Sequence, residues 1–264
     1  MSLEPPIPLF FALKERLRTQ VYPDRAQLGA AACAEFVQSL KQKLQLQQEV
    51  RIVFAAAPSQ NEFLDAVADE PDIDWSRVTA FHMDEYIGLP PHAPQRFSAY
   101  LTERLFAKVR PGHVHLLDPG ARGQEEAPRY EELLREAPID FVCLGIGENG
   151  HIAFNDPPVA DFSDPLWVKE VELDLSCRMQ QVNDGCFPSL EEVPTRALTL
   201  TIPALMSASR LFCMVPGERK RQAVERTING PISTECPASI LRQHEFCTLY
   251  TDADSFGYSS ETGE

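Results

Sequence analysis

The chain has 264 residues, 44% of them hydrophobic and 24% charged, which fits a globular protein and argues against a disordered one, and no apolar run is long enough to cross a bilayer. With 24 basic against 39 acidic side chains the net charge is −15, a potential that repels nucleic acid and anionic lipid, so neither is an expected partner and any anionic substrate needs a local basic pocket. The amino terminus carries no basic segment followed by an apolar run and no lipidation motif, and the expected compartment is the cytosol.

After a surface tail over 5–8, apolar residues at helical spacing predict a helix over 24–46. An apolar run over 50–56 predicts a buried strand, followed by a helix over 59–68 and a second strand over 78–83. The same alternation gives a helix over 95–109, a strand over 114–117, a helix over 125–136 and a strand over 139–145. Beyond residue 196 come strands over 197–202 and 211–215, a helix over 218–228, a strand over 246–251 and a second tail over 255–264. Short apolar runs alternating with helices are the pattern of a mainly parallel sheet covered on both faces, an α/β fold. No internal repeat and no linker divides the chain, so one domain over 1–264 is expected. Residues 155–194 stand apart, rich in Pro, Asp and Gln with only a weak extended run over 167–175, and read as a flap. The seven cysteines are scattered without a CxxC pair or metal-ligand spacing, which predicts reduced, mostly packed thiols and no metal site.

Two segments carry candidate chemistry. In Phe81-His82-Met83-Asp84-Glu85-Tyr86 an apolar strand ends in two carboxylates. Successive side chains of an extended chain face opposite sides, so Asp84 and Glu85 cannot both enter one cleft from the strand. Ligands of open α/β sheets bind outside the carboxyl ends of the strands, where this pair falls. Read alone, acidic residues at a strand end are usually solvated loop residues or helix caps. The second segment is Gly145-Ile146-Gly147-Glu148-Asn149-Gly150-His151-Ile152-Ala153-Phe154-Asn155-Asp156-Pro157. Its glycines, Gly147 and Gly150 among them, let the backbone turn sharply toward a ligand, and His151 is of the residue type suited to shuttling a proton. The spacing formally matches a dinucleotide fingerprint, but it lies in mid-chain and the prolines after Asp156 stop the helix that such a site needs.

MDEYIGLP together with GIGENGHIAFNDP closely resembles the glucosamine-6-phosphate deaminase family, also called isomerase/deaminase. The resemblance continues through 193–199, the turn Pro216-Gly217-Glu218-Arg219-Lys220 and 240–244, so it spans nearly the whole chain, and AFNDP separates it from the related 6-phosphogluconolactonases. It implies a Rossmann-like three-layer α/β/α fold, a sugar-phosphate substrate and metal-free conversion of a 2-amino-2-deoxy sugar phosphate into a ketose phosphate plus ammonia, with no cofactor. Homo-oligomers are common in the family. Asp84 matches the family's proton-transfer acid/base, His151 its ring-opening histidine and Lys220 its phosphate lysine.

Two departures flank the histidine: the family pattern has Asp where this chain has Asn149 and Glu where it has Asp156. An amide orients an imidazole by hydrogen bonding without stabilising its charge, and can favour the wrong tautomer. Asp156 keeps the charge on a shorter arm. For the phosphate, Lys220 with the amides at a helix start suffices to hold a dianion. Ser59 is the one hydroxyl left in Phe54-Ala55-Ala56-Ala57-Pro58-Ser59-Gln60, and Ser59 with Glu62 also fits a helix capping box. Glu85 is a further candidate contact to the substrate, and Arg178, in the flap, a candidate clamp. The expected activity is deamination with isomerisation of glucosamine 6-phosphate or a stereoisomer; its rivals are a sugar-phosphate lactonase, with His151 activating water, and a catalytically silent sugar-phosphate sensor.

Overall fold

Eleven strands divide between two sheets in the computed structural model, which describes residues 5–259 and, over 121–123, the backbone alone. They are β1 (Phe10–Lys14), β2 (Leu17–Tyr22), β3 (Val50–Phe54), β4 (Val78–His82), β5 (Asp84–Tyr86), β6 (His113–His115), β7 (Phe141–Leu144), β8 (Val168–Glu172), β9 (Arg196–Leu200), β10 (Arg210–Val215) and β11 (Cys247–Asp252). The central sheet runs β1-β2-β11-β10-β7-β3-β4-β6, and every neighbouring pair is parallel except β1 and β2. A small antiparallel sheet runs β5-β9-β8. With helices on both faces of a mostly parallel sheet, the chain is a three-layer α/β fold of Rossmann-like form, as the sequence predicts.

The strands at the centre are apolar along their whole length because both faces are covered. In β3, Val50, Ile52 and Phe54 face one cluster and Val53 the other. The first cluster centres on Phe36 of the helix Arg25–Leu46, whose ring meets Phe54, Phe63, Phe141 and Phe212 edge-on at centroid distances of 5.4 to 6.3 Å. Such pairs contribute about 0.5–1.5 kcal/mol each beyond the area they bury. Asp24 caps that helix, its carboxylate accepting from Gln27 N. From β3 the chain winds outward to β4 and β6, and from β7 outward the other way to β10 and β11. The winding reverses between β3 and β7, and at such a point the loops diverge and leave a crevice beyond the carboxyl ends of the strands.

Three sequence expectations change. The run over 78–83 ends at His82 in the central sheet, and Asp84–Tyr86 starts the small sheet, Asp84 pairing with Thr199. The run over 197–202 accordingly belongs to β9 of the small sheet and not to the parallel one. The tail over 255–264 starts inside a helix: Ser255 is buried in Ala253–Phe256 and shares a capping box with Asp252, while 260–264 lie outside the described residues. At the other end β1 and β2 form a hairpin without a turn signal, because the left-handed turn position is Glu15, at φ 54°, and not a glycine.

Residues 155–194 hold β8 and the helix Leu175–Asn183, whose ends are tied at the small sheet by the pairing of Glu172 with Arg196 and a hydrogen bond from Leu173 N to Thr195 O at 2.8 Å. No disulfide joins the cysteines, six of which are buried. Among the described residues, no helix is long and apolar enough to cross a membrane.

Candidate active site

The loops that leave β3, β4, β7 and β10 enclose one pocket at the reversal of the sheet. Ala55, Ala56, Ala57 and Ser59 line it after β3, Met83 and Asp84 after β4, Gly145, Gly147 and His151 after β7, and Lys220 after β10, with Gln180 and Gln181 of the helix Leu175–Asn183 lining it as well. It adjoins an outer cleft of about 280 Å³ lined by Arg25, Ser59, Glu148, Gln180, Asp184, Gly217, Arg219 and Lys220.

Asp84 and Glu85 take opposite sides, as an extended chain requires. Asp84 is buried, and no hydrogen bond among the described residues reaches its carboxyl group. Burial pushes that carboxyl well above the usual range, and Glu85 adds to the rise. Glu85 turns away from the pocket, which overturns its place among the substrate contacts. Its oxygens accept from Tyr86 N at 3.0 Å, Phe97 N at 3.2 Å, Ser98 N at 3.1 Å and Ser98 Oγ at 2.6 Å, and Arg96 Nε lies 3.4 Å away. It holds the start of the helix Phe97–Leu101, a structural task.

His151 sits on a glycine-shaped floor. A Cβ on Gly147 would fall 2.1 Å from the imidazole Cε1, so only glycine lets the ring lie there. Gly150 has φ +92° and packs on Cys236, which makes it a turn residue; it does not line the pocket. The ring's Nδ1 faces two acceptors, Asn149 Oδ1 at 2.8 Å and Asp156 Oδ1 at 3.0 Å. Two acceptors on one nitrogen fix the proton there, and Nε2 remains for exchange with a ligand. Asn149 is itself oriented, since its Oδ1 accepts from His151 N at 3.0 Å and its Nδ2 donates to Asp156 Oδ1 at 2.8 Å. The amide therefore supports the same tautomer as a carboxylate would, and Asp156 reaches the imidazole directly.

Asp156 is buried, which raises its carboxyl, but His151 and the hydrogen bonds from His151, Asn149 and the Cys177 thiol hold it below the usual range. Burial, Asp156 and Asp84 push the Cys177 thiol well up, so it stays a proton donor. His151, Asp156 and Cys177 bring ligand-type atoms within 4.8 Å of one another. Asp156 accepts from both His151 and the Cys177 thiol, so the three side chains form one hydrogen-bonded chain.

Lys220 ends the turn Glu218–Lys220, entered through Gly217 at φ +95°, whose N–H is held by both oxygens of Asp252 at 2.9 and 3.0 Å. Burial lowers the ammonium's pKa, with Asp184 and Glu148 pulling the other way. Ser59 lies in the turn Pro58–Gln60, where no side chain caps the helix start and Glu62 pairs with Arg25 at 2.6 Å, so the expected capping box is absent. Arg178 does not reach the pocket: its Nη2 donates to Leu190 O at 2.6 Å and Val193 O at 2.9 Å, closing the flap on itself.

Sequence reading missed Gln60, Gln180, Gln181 and Cys177. Gln60 Nε2 donates to Leu144 O and Met214 O at 3.3 Å, pinning the β3 loop to β7 and β10. Gln180 Oε1 accepts from Glu148 N at 2.9 Å and so docks the flap helix on the histidine loop.

Residues 23–250 match the family model described as glucosamine-6-phosphate isomerases/6-phosphogluconolactonase. The chain is 38% identical over 208 residues to a glucosamine-6-phosphate deaminase of Listeria monocytogenes, covering 78% of this chain and 87% of that one. It is 38% identical over 192 residues to glucosamine-6-phosphate deaminase 1 of Giardia intestinalis, covering 70% of each. Among solved structures, a monomeric glucosamine-6-phosphate deaminase superposes with a TM-score of 0.83 at 26% identity, over 90% of this chain and 98% of that one. A 6-phosphogluconolactonase of Thermotoga maritima gives 0.73 at 18% identity, over 89% and 99%, a likeness of fold.

Proposed function

The chain belongs to the glucosamine-6-phosphate isomerase/6-phosphogluconolactonase family, and from that premise we propose that it is an isomerising deaminase, turning glucosamine 6-phosphate and water into fructose 6-phosphate and ammonia. The observation that carries the reading is the pairing, in one pocket, of an unbonded buried carboxyl, Asp84, with the His151–Asp156 relay.

The reaction needs a ring opened, a proton moved from C2 to C1 and an imine hydrolysed. His151 Nε2 takes the C1 hydroxyl proton and returns it to the ring oxygen, and Asp156 stabilises the imidazolium between the two steps. Asp84 then removes the C2 proton from the open chain and delivers it to C1. A carboxyl raised by burial suits both halves of that transfer, because it is a stronger base than an ordinary aspartate and keeps the proton long enough to return it. The resulting C2 imine adds water and expels ammonia. Lys220 and Ser59 form the phosphate end of the pocket. Residues 155–194 act as the flap over it, within a single cytosolic domain.

The lactonase alternative rests on the family model, whose description covers both activities, and on likeness of fold; the relatives at 38% identity are glucosamine-6-phosphate deaminases. Ammonia, ketose phosphate and acid release, followed over a panel of amino-sugar 6-phosphates and 6-phosphogluconolactone, test the reading. Ammonia and fructose 6-phosphate in equal amounts are expected; acid release from the lactone without ammonia from any amino sugar would sink it.

A further inference from the structure

A sugar phosphate brings between one and two negative charges near neutral pH. The outer cleft meets it with one buried cation, Lys220, and three carboxylates on its walls, Glu148, Asp184 and the exposed Glu218, the last 3.8 Å from Arg221. Two arginines also line the cleft. Arg25 is committed, with Nε and Nη2 donating to Glu62 at 2.6 and 2.9 Å and Nη2 also to Pro58 O at 2.8 Å. Arg178, outside the cleft, is committed inside the flap.

Arg219 is different. Its Nη1 stands 3.7 Å from Glu148 Oε1 and 3.6 Å from Asp184 Oδ1, beyond hydrogen-bond reach of either, and its side chain is 58% exposed. Glu148 Oε1, although buried, has no hydrogen-bond partner. The guanidinium is thus shared as a loose ion pair between two carboxylates without a hydrogen bond to either, beside Lys220 in the same turn and close enough to lower the lysine's pKa. Without Arg219, Glu148 and Asp184 would repel a phosphate from this cleft.

We propose that Arg219 is the second cation of the phosphate subsite, moving from its position between Glu148 and Asp184 onto the substrate phosphate beside Lys220. A planar guanidinium offers a phosphate two parallel N–H donors, which neither carboxylate receives in the open cleft. Arg219 then sets the preference for phosphorylated over unphosphorylated sugars. The inference rests on the reading above that the phosphate sits at Lys220.

The test compares wild type, Arg219→Gln, Arg219→Lys and Lys220→Ala by steady-state kinetics on glucosamine 6-phosphate, with inorganic phosphate as competitive inhibitor. Arg219→Gln should raise both KM and the phosphate Ki about 10- to 100-fold, the loss of a charged hydrogen-bonding group, with kcat within about threefold of wild type. Arg219→Lys should recover part of the loss. Residual turnover of unphosphorylated glucosamine should be equal in wild type and Arg219→Gln, which a misfolded variant would not give. If Lys220→Ala raises the phosphate Ki and Arg219→Gln leaves it within about twofold, Arg219 has no part in the subsite, and the placing of phosphate at Lys220 survives. If neither variant moves it, phosphate binds elsewhere and both fall.

Discussion

His151 and Asp156 meet at 3.0 Å, Nδ1 to Oδ1, although Asp156 has the shorter arm for that contact. The backbone turns at this residue, Asp156 O accepting from Val159 N and Ala160 N at 2.9 and 2.8 Å, and the carboxylate meets the edge of the ring at Nδ1. Charge support for the imidazole therefore comes from Asp156, and Asn149 serves to orient.

Asp156→Asn should be the more damaging change at this pair. It removes the only carboxylate on Nδ1, and a fall in kcat of about 100-fold or more is expected. Asn149→Asp places a second carboxylate against Asp156 Oδ1 and should raise the imidazolium pKa, shifting the acidic limb of the kcat/KM profile upward. Profiles of both variants identical to wild type would remove this pair from the mechanism.

Asp84→Asn should abolish turnover by about 10²- to 10⁴-fold and at the same time stabilise the protein. The sign follows from its raised pKa: the folded state favours the neutral carboxyl, so the cost of ionising it is present near neutral pH and disappears as pH falls below the unfolded value. The thermal midpoint of the variant should exceed that of wild type at neutral pH, and the gap should shrink on acidification. A variant less stable than wild type at neutral pH contradicts the account of Asp84.

For Lys220, burial brings deprotonation closer to neutrality. KM should accordingly rise on the alkaline side earlier than an ordinary lysine would allow, because the neutral amine no longer attracts phosphate. Lys220→Arg should flatten that rise, since guanidinium does not titrate there. A KM independent of pH in wild type places the phosphate away from Lys220.

Glu85→Ala is expected to act on stability. Arg96, itself buried, would keep Asp118 at 3.2 Å as its one carboxylate and two helix-start amides would lose their acceptor, at a cost of about 1–3 kcal/mol. Chemical denaturation measures it, and unchanged stability would show that another group takes over the helix start.

The inner strands β3, β4, β7, β10 and β11 and the histidine loop are legible in the sequence because strands covered on both faces must be continuously apolar, and because glycines at 147 and 150 answer to sterics that nothing else satisfies, whereas the edge hairpin β1–β2 carries neither signal. The flap helix is not legible, for a physical reason. Leu175 and Met179 point outward, 59% and 40% exposed, while Cys177, Gln180 and Gln181 face inward over the pocket. A search for apolar periodicity finds helices that bury hydrocarbon, and this one buries amides and a thiol. The opposing fates of Asp84 and Glu85 were readable from strand alternation, but which one entered the pocket depended on Arg96 and Ser98, more than ten residues away in sequence.

The helix over the pocket hangs between two strands that are already neighbours, with Glu172 paired to Arg196 where it leaves and returns. A segment anchored side by side at both ends is a cassette: its length and sequence can be exchanged at little cost in loop closure, which depends only weakly on length, so long as Cys177 on Asp156, Gln180 on the histidine loop and Phe187 against Tyr86 are kept. The ceiling of the pocket, and with it the choice of sugar, can drift or be engineered while the proton-transfer machinery on the floor stays fixed. Grafting the corresponding segment of a relative between residues 173 and 195 is then a direct route to a changed substrate on an unchanged chemistry.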